Sequence, residues 1–453
     1  MLYLYSIQFA LMNLCTAIAA TRSQDGFFSL PASRISKPLP VLKRQEDTDV
    51  PLYDVSQVSY LIELSIGTPG QSVKVAVDTG SSELWVDPVC QNSQSLSEID
   101  ECIENGIYDP SRSTTFEDVN STNTIPYGIG VVQIEYVRDN VAFPNSTINL
   151  TDVQFGVATA SRQLNEGIMG LSFGGSTPEA DLRYNNIVDE LYLQNVTQSR
   201  AFSVALGSSD SDNDSVVIFG GIDTSKYAGP LRALPILGPQ NGETIHRYWV
   251  QLDSIGTTVD GSSHTYDNSS LPVVLDTGST FCSLPRAVVS GMMEDLGGQI
   301  SNQGQVLVDC SLVDNESTFN FDFGNITIRI PYSQFVLQAN SEVCVLGATP
   351  DDQIALLGDS FLRSAYVIFD QNNMEVAMAP YVNCGQSEQR IPDGGVSGVE
   401  GVCDGADNRS GGDANGGGGN SGGGDDNAGF RLTAGMLNLL SVCISVPVFV
   451  DLL

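Results

Sequence analysis

The chain has 453 residues, with 54 acidic side chains, 20 Lys or Arg and only 2 His, and its formal net charge is −34. Such an acidic surface is a poor partner for nucleic acid, and two histidines exclude most histidine-based catalysis. In acid the carboxylates lose their charge while few cations remain to repel one another, so we expect the protein to tolerate low pH. Solubility alone is the alternative explanation, but it does not account for the near absence of lysine after residue 44.

The two N-terminal segments are predicted to be removed before the protein acts. Residues 1–20 are apolar and end in Ala17-Ile18-Ala19, which indicates a secretory signal peptide rather than a buried helix. Residues 21–44 hold five basic side chains and one acid, so we predict a basic pro-segment, with a disordered arm as the alternative. The segment ends in Lys43-Arg44, which resembles the dibasic site of kexin-like processing proteases, and the mature chain would begin near Gln45.

The tripeptide Asp-Thr-Gly occurs twice, each time after an apolar run and before Ser. The first copy is Asp78-Thr79-Gly80-Ser81 and the second is Asp276-Thr277-Gly278-Ser279, so the two aspartates lie 198 positions apart. One copy alone would indicate an ordinary turn between strands. Two copies with matching flanks indicate an internal duplication, so we predict two lobes, residues 45–225 and 226–384, that bring their aspartates together.

Two such carboxylates are sufficient for acid protease chemistry. Carboxylates a few ångströms apart cannot both ionise cheaply, so they share one proton. The ionised member can then take a proton from water while the other donates a proton to the peptide carbonyl oxygen. This reaction needs no metal, cofactor or covalent intermediate. The glycines, Gly80 and Gly278, would let each turn bend tightly beside its carboxylate.

Seven cysteines remain once the predicted terminal segments are removed, and most should pair in an oxidising compartment. We expect Cys90 to pair with Cys102 around a short acidic loop, and Cys310 with Cys344. The sequence leaves the pairing of Cys282, Cys384 and Cys403 open. A Cys384–Cys403 bond with Cys282 as a buried thiol is the arrangement that we favour.

The C-terminal region predicts a tether. Residues 385–427 are rich in Gly, Ser, Asn and Asp and predict a disordered, flexible linker. The apolar tail that follows, Met436–Leu453, is short for a spanning helix and contains Pro447 and Asp451, so residues 428–453 predict a glycosylphosphatidylinositol (GPI) attachment signal instead. The predicted attachment site is Asn427, with Asn420 as the second choice.

Sequons for N-glycosylation also fit passage through the secretory pathway. Nine asparagines precede x-Ser or x-Thr: Asn120, Asn145, Asn149, Asn195, Asn213, Asn268, Asn315, Asn325 and Asn408.

Several further motifs follow in a fixed order. They are residues 60–71 (YLIELSIGTPGQ), 77–86 (VDTGSSELWV), 127–130 (YGIG), 167–171 (GIMGL), 275–279 (LDTGS), 356–363 (LLGDSFLR), 367–370 (VIFD) and 378–380 (MAP). Over residues 57–382 this series resembles the pepsin family of aspartic proteases. The resemblance implies an all-β, bilobal fold with a central cleft and the aspartates on its floor.

The resemblance also assigns expected roles. Thr79 and Thr277 would lock the two turns together, and Ser81 and Ser279 would hydrogen-bond the outer carboxylate oxygens. Residues 127–130 resemble the mobile flap that closes over substrate, with Tyr127 bonded to Trp85; an ordinary hairpin aromatic is the alternative for Tyr127. Gly128 suits a flexing tip, and Ile129 departs from the Ser or Thr that is common there, which removes a side-chain hydrogen bond to substrate.

The signal, dibasic site, linker and predicted anchor together resemble the fungal yapsin-like and candidapepsin-like branch. Relatives of that kind have an acidic insertion and favour basic residues near the scissile bond. Here Glu98, Asp100 and Glu101 would lie in the insertion, between Cys90 and Cys102, and Asp87 precedes it. These four acids would attract Lys or Arg, although a solvated loop explains the charges equally well.

We therefore expect a secreted, monomeric, GPI-anchored aspartic endopeptidase that acts on polypeptides at acidic pH, at the plasma membrane or cell wall. A catalytically silent relative on the same fold is one alternative. A carboxylate-pair glycosidase is another, disfavoured because its two acids should lie in unlike settings.

Overall fold

The computed structural model describes residues 26–38, 56–86, 96–128, 130–164, 166–175, 184–208, 214–301, 304–340 and 343–403. Strands dominate these residues. The strands of the N-terminal segment and the first half are β1 (Phe28–Pro31), β2 (Ser33–Pro38), β3 (Ser56–Ile66), β4 (Gln71–Asp78), β5 (Leu84–Val86), β6 (Glu117–Pro126), β7 (Val131–Ala142), β8 (Asn149–Arg162), β9 (Gly167–Gly170), β10 (Ala201–Ala205), β11 (Val216–Phe219) and β12 (Gly221–Asp223).

The strands of the second half are β13 (Arg232–Pro235), β14 (Trp249–Leu252), β15 (Ser254–Val259), β16 (Ser262–Thr265), β17 (Leu271–Leu275), β18 (Cys282–Leu284), β19 (Gln299–Ile300), β20 (Val306–Val308), β21 (Thr318–Asp322), β22 (Thr327–Pro331), β23 (Val336–Asn340), β24 (Val343–Leu346), β25 (Ala348–Pro350), β26 (Leu356–Leu357), β27 (Ala365–Asp370), β28 (Glu375–Pro380) and β29 (Glu388–Arg390).

Helices are few and short in the described residues. The α-helices are α1 (Leu96–Glu104), α2 (Ile187–Leu193), α3 (Arg286–Leu296), α4 (Tyr332–Phe335) and α5 (Asp359–Leu362), and short 3₁₀ helices cover Pro110–Arg112, Thr224–Lys226 and Cys310–Asp314. This composition confirms the all-β prediction. The predicted lobe boundary after residue 225 falls in the second 3₁₀ helix.

Each half contains the same local arrangement of strands around its Asp-Thr-Gly turn. In the first half β4 pairs in parallel with β9, which pairs antiparallel with β5 in an eight-stranded sheet of order β2-β3-β4-β9-β5-β8-β7-β6. In the second half β17 pairs in parallel with β26, which pairs antiparallel with β18 in a five-stranded sheet of order β14-β17-β26-β18-β25. The repeated topology is the structural form of the internal duplication.

A six-stranded sheet joins the two halves. Its order is β1-β11-β10-β27-β28-β13, so β10 of the first half pairs directly with β27 of the second. Phe202 on β10 stacks on Phe369 of β27 with ring centroids 5.0 Å apart. Two further four-stranded sheets, β16-β15-β21-β22 and β19-β20-β24-β23, complete the second half. The halves therefore form the bilobal pepsin-like fold around shared strands.

Residues 26–38 of the predicted pro-segment are built into this fold. Strand β1 pairs antiparallel with β11, and β2 pairs antiparallel with β3. Phe28 is buried and lies between Phe143 and Phe219, with ring centroids 5.1 and 5.3 Å away. The alternative of a disordered arm is therefore wrong for residues 26–38. The dibasic site itself lies outside the described residues.

The predicted start of the linker at residue 385 is wrong. Strand β29 pairs with β12, and Cys384 forms a disulfide with Cys403. Ile391 and Val396 are buried in a cluster with side chains of the six-stranded sheet. Residues 384–403, which we call the C-terminal clasp, thus fold back onto the body, because sparse apolar side chains and a crosslink offset the Gly-rich composition. The rest of the predicted linker, from residue 404, lies outside the described residues.

The signal peptide and the candidate anchor sites Asn427 and Asn420 also lie outside the described residues. In the part of the chain that the structure covers, no helix has both the length and the apolar character needed to cross a bilayer.

The clasp should contribute to stability through its buried side chains. Replacing Ile391 by Ala removes buried apolar volume and should lower the free energy of unfolding by about 2–4 kcal/mol. Val402 is 62% exposed in the same clasp, so Val402→Ala should change it by less than about 0.5 kcal/mol. Urea unfolding of both variants tests this, and equal effects would show that the clasp does not pack on the body.

Candidate active site

Strand β4 delivers Asp78 to the floor of the site. Its last residues are continuously buried, and its parallel pairing with β9 sets Asp78 opposite Gly170. Beyond the strand the chain turns, and the Asp78 carboxylate accepts hydrogen bonds from the Gly80 amide (2.8 Å to Oδ1) and the Ser81 hydroxyl (2.5 Å to Oδ2). The carboxyl is 6% exposed. Its orientation is therefore fixed from one side by its own turn.

The second turn repeats this arrangement around Asp276. The aspartate follows β17, and its amide donates to the Leu357 carbonyl of the parallel partner β26 over 3.0 Å. Its carboxylate accepts from the Gly278 amide (2.9 Å to Oδ1) and from the Ser279 hydroxyl (2.8 Å to Oδ2). The two carboxylates thus have matching donors, as the duplicated sequence predicts.

Reciprocal hydrogen bonds between the two threonines hold the turns together. The Thr79 hydroxyl donates to the Leu275 carbonyl (2.9 Å) and accepts from the Thr277 amide (3.0 Å). In the same way, the Thr277 hydroxyl donates to the Val77 carbonyl (2.9 Å) and accepts from the Thr79 amide (3.1 Å). Both threonines are buried, so these four bonds satisfy groups that water cannot reach.

The two glycines allow the carboxylates to approach each other. A Cβ on Gly80 would lie 2.6 Å from the carboxyl carbon of Asp276, and one on Gly278 would lie 2.7 Å from Asp78 Oδ1. These distances are far below van der Waals contact. Any side chain at either position would therefore push the opposite aspartate away.

The proximity of the carboxylates changes their ionisation. Burial, the charge of Asp276 and a hydrogen bond with the Asp276 carboxyl raise the pKa of Asp78 to about 7, against the opposing effect of the Ser81 hydrogen bond. A carboxyl that keeps a proton to this pH beside a second carboxyl is the arrangement expected of a pair that shares one hydrogen ion.

Tyr127 lies at the end of a hairpin that reaches over the Asp78 side of the site. The hairpin consists of β6 and β7, and the Tyr127 amide donates to the Gly130 carbonyl over 2.8 Å. The Trp85 indole donates to the Tyr127 hydroxyl over 2.8 Å, with the rings 6.4 Å apart. Gly128 is exposed, and a Cβ there would touch nothing. Ile129 lies outside the described residues.

A buried acid that the sequence did not predict lies behind this hairpin. The Glu83 carboxylate accepts hydrogen bonds from the hydroxyls of Tyr136 (3.1 Å to Oε1) and Tyr184. Burial raises the pKa of Glu83, and the two tyrosine hydroxyls act in the opposite direction. Because Glu83 immediately follows the first Asp-Thr-Gly-Ser-Ser, its position in the turn was the one signal available. Its tyrosine partners are distant in sequence and carried none.

A basic side chain, also missed, reaches the first turn from the second half. Arg247 Nη1 donates to the Gly80 carbonyl oxygen. Arg247 Nε pairs with Glu243 Oε1 over 2.9 Å, and the Trp249 indole donates to Glu243 Oε2 over 3.3 Å. Nothing in the sequence around residue 247 indicated that it faces a turn 167 positions away.

Two of the ordered sequence motifs, residues 167–171 and 356–363, lie beneath the turns. The Leu171 amide donates to the Asp78 carbonyl (2.8 Å), and the Asp359 amide donates to the Ser279 carbonyl (2.7 Å). The Asp359 side chain, 1% exposed, pairs with Arg363 (3.0 Å) and accepts from the Tyr60 hydroxyl (2.6 Å). Asp359 therefore crosslinks β3 of the first half to α5 of the second and lies in the scaffold.

The cysteines pair largely as expected. Cys310 and Cys344 form a disulfide, and Cys102 is also disulfide-bonded, although its predicted partner Cys90 lies outside the described residues. Cys282 is a free, buried thiol beside Ser360, and burial raises its pKa to about 11. It is therefore protonated and unreactive under ordinary conditions.

Seven of the nine sequon asparagines are exposed in the described residues: Asn120, Asn145, Asn149, Asn195, Asn268, Asn315 and Asn325. Asn325 donates its amide to the Ala233 carbonyl over 3.1 Å. The remaining two, Asn213 and Asn408, lie outside the described residues. Across the ranges that the structure describes, no group of three or more His, Cys, Asp or Glu could hold a metal ion.

Comparison with known proteins identifies the class to which this fold and site belong. Residues 59–381 match the family model of the eukaryotic aspartyl proteases. The chain belongs to that family and is an aspartic endopeptidase.

Its relatives include fungal and vertebrate enzymes. It is 33% identical over 359 residues to the probable aspartic-type endopeptidase opsB of Aspergillus oryzae, covering 75% of this chain and 72% of the relative. It is 31% identical over 341 residues to aspartic proteinase yapsin-3 of Saccharomyces cerevisiae, covering 71% and 66%. Pepsin A of Suncus murinus is 30% identical over 366 residues, covering 76% and 87%. The two fungal relatives are consistent with a place in the fungal yapsin-like branch.

The threonine crosslink should be a large contributor to stability. Replacing Thr277 by Val keeps the shape but leaves the Val77 carbonyl and the Thr79 amide buried without partners, so we expect a loss of about 2–4 kcal/mol in the free energy of unfolding. Thr277→Ser retains the hydroxyl and is the matched control, with an expected loss below about 1.5 kcal/mol. Denaturant unfolding distinguishes the two variants. Equal losses would mean that the hydrogen bonds of the hydroxyl contribute no more to stability than the side-chain methyl does.

Proposed function

We propose that Asp78 and Asp276 are the catalytic pair, which hydrolyses internal peptide bonds at acidic pH with a bound water as the nucleophile. The observation that carries the proposal is the contact between the two carboxyls, together with the pKa of Asp78 near 7. A single proton on the pair provides one acid for the peptide carbonyl oxygen and one base for the attacking water.

The reaction then needs only proton transfers and one exchange of covalent bonds. The ionised carboxylate takes a proton from the water as its oxygen attacks the peptide carbonyl carbon. The protonated carboxyl donates to the carbonyl oxygen, which gives a neutral gem-diol. The carboxyl that took the proton from water then donates it to the peptide nitrogen, and the C–N bond breaks. A gem-diol hydroxyl releases its proton to the other carboxylate as the new carboxyl product forms, so the pair again holds one proton. The donors from Ser81 and Ser279 keep both carboxyls oriented throughout.

Tyr127 is proposed to act as part of a closing flap. Its hydroxyl is fixed by Trp85, while the neighbouring Gly128 is exposed and unpacked, so the tip can move about an anchored base. Closure over a bound peptide would exclude water from the cleft and strengthen the electrostatic interactions there.

Removing one carboxyl tests the catalytic assignment. Asp78→Asn should abolish acid-pH peptidase activity, and pepstatin should block the wild type. Because the pKa of Asp78 is raised, its proton is retained as pH rises from 4 and is lost near 7. Activity measured with an internally quenched peptide should therefore fall as pH increases through about 7. Full activity in the variant, or undiminished activity well above pH 7, would contradict the shared-proton mechanism.

We also propose that the acidic insertion favours basic residues near the scissile bond. Asp100 is exposed on helix α1, which Cys102 anchors through its disulfide. A fixed cluster of carboxylates at the entrance to a cleft attracts cationic peptides. Asp87 and the side chains of Glu98 and Glu101 lie outside the described part of the chain.

Neutralising the insertion tests this preference. Changing Asp87, Glu98, Asp100 and Glu101 together to Asn or Gln should lower the ratio of kcat/KM for Lys- over Gln-containing peptides by roughly three- to tenfold. Changing four exposed acids outside the insertion, Glu117, Asp118, Glu135 and Asp152, is the control for net charge. An equal fall in both variants would assign the effect to overall charge.

The proposed location is the cell surface. The predicted signal peptide, exposed sequons and C-terminal anchor signal support a secreted, GPI-anchored glycoprotein, and we propose that it acts as a monomer. Pairing of residues 26–38 with the body supports a pro-segment that folds with the enzyme, to be cut at Lys43-Arg44 by a kexin-like protease.

A further inference from the structure

We propose that Arg247 forms a subsite for a carboxylate or another hydrogen-bond acceptor of the substrate, beside the Asp78 turn, and so excludes Lys and Arg from one position of the cleaved peptide. The proposal rests on the proposed function of Asp78 and Asp276, because it places the subsite in their cleft. It assigns to this cleft a cation that opposes the acidic insertion in sign.

The guanidinium of Arg247 lies beside the first Asp-Thr-Gly turn. Its Nη1 donates to the carbonyl oxygen of Gly80. Gly80 is the residue whose Cβ, if present, would lie 2.6 Å from the carboxyl carbon of Asp276, and its amide donates to Asp78 Oδ1 over 2.8 Å. The cation is therefore held one peptide group away from both catalytic carboxyls. A substrate bound at those carboxyls passes next to it.

Neighbouring residues hold the Arg247 side chain in place. Its neighbours Tyr248 and Trp249 are both buried, and the Tyr248 hydroxyl donates to the Leu171 carbonyl over 2.7 Å. Arg247 Nε pairs with Glu243 over 2.9 Å, and Glu243 is braced in turn by the Trp249 indole. An arginine fixed in this way loses little entropy when it binds an acceptor.

The Arg247 guanidinium has hydrogen-bond donors that its contacts within the protein do not use. A guanidinium has five N–H donors, and the contacts to Glu243 and Gly80 use two of them. Within the described ranges no other partner of this side chain is found, and its side chain remains 26% exposed. Three donors are thus left for a ligand that enters the cleft. Planar, bidentate acceptors such as carboxylates fit this geometry best.

The positive charge of Arg247 determines which substrate side chains it attracts. Glu243 contacts Nε of Arg247, whereas Nη1 is directed at the Gly80 carbonyl, so Glu243 offsets the positive charge less on the side of the Asp78 turn. The side chains of the pair are 26% and 23% exposed. A Lys or Arg side chain placed at this point would meet a fixed cation at short range, whereas Asp or Glu would be attracted. The cleft would then favour basic side chains of the substrate near the acidic insertion and acidic side chains near Arg247.

The experiment scans Glu, Gln and Lys through each position on both sides of one scissile bond in a set of internally quenched peptides. Cleavage is measured at about pH 5.5, where a peptide Glu is ionised. At one position, wild type should cleave the Glu peptide roughly tenfold better than the Lys peptide by kcat/KM. The ratio of the two values is the readout, because it cancels changes in overall activity.

Variants assign the ratio to the guanidinium. Arg247→Ala should bring the Glu-to-Lys ratio at that position close to one, and Arg247→Lys should retain part of it. Glu243→Gln removes the compensating charge and should widen the ratio by roughly threefold. Arg329→Ala, which removes an exposed arginine on β22, is the matched control and should leave the ratio as in wild type.

Each outcome decides between the proposals. A wild-type protein that cleaves none of the peptides overturns the assignment of the aspartate pair, and this subsite with it. Cleavage with equal Glu and Lys values at every position overturns the subsite alone. A preference that survives in Arg247→Ala does the same. If Arg247→Ala lowers thermal stability without moving the ratio, the side chain has only a structural role.

Discussion

The fold holds the carboxyls of Asp78 and Asp276 in contact, although repulsion between two ionised carboxylates would drive them apart. Two carboxyls at hydrogen-bond distance in a half-buried site cannot both ionise cheaply. The pair therefore has a lower free energy when it keeps one proton. This requires a rigid scaffold, because any relaxation would let the carboxyls separate and ionise independently. The two halves supply that scaffold through Thr79 and Thr277, while Gly80 and Gly278 remove the atoms that would hold the carboxyls apart.

The scaffold is nearly symmetric, but its surroundings are not. Matching donors from each turn reach each carboxyl, and matching parallel strand pairs lie beneath. Tyr127 and the buried Glu83 belong to the first half alone, and Arg247 approaches from the second. Symmetry thus provides the shared proton, whereas the asymmetric groups give the cleft distinct sides, which a peptide with a direction requires.

The sequence predicts the site well because its information is local and duplicated. Two copies of Asp-Thr-Gly-Ser with apolar lead-ins determine both the turns and the strands that carry them. The sequence predicts less of what long-range packing decides. Composition suggested a linker from residue 385, but a few apolar side chains such as Ile391 and Val396, with the Cys384–Cys403 bond, fold residues 384–403 onto the body. Likewise the contact of Arg247 with Gly80 joins segments with no shared motif, so no pattern along the chain announces it.

Neutron diffraction from a deuterium-exchanged crystal can show whether a single hydrogen ion serves both aspartates. At about pH 5, below the pKa near 7 of Asp78, we expect one deuterium between the facing oxygens of Asp78 and Asp276, with the outer oxygens accepting from Ser81 and Ser279. Nuclear density that shows both carboxylates without deuterium, or one deuterium on each, would contradict it.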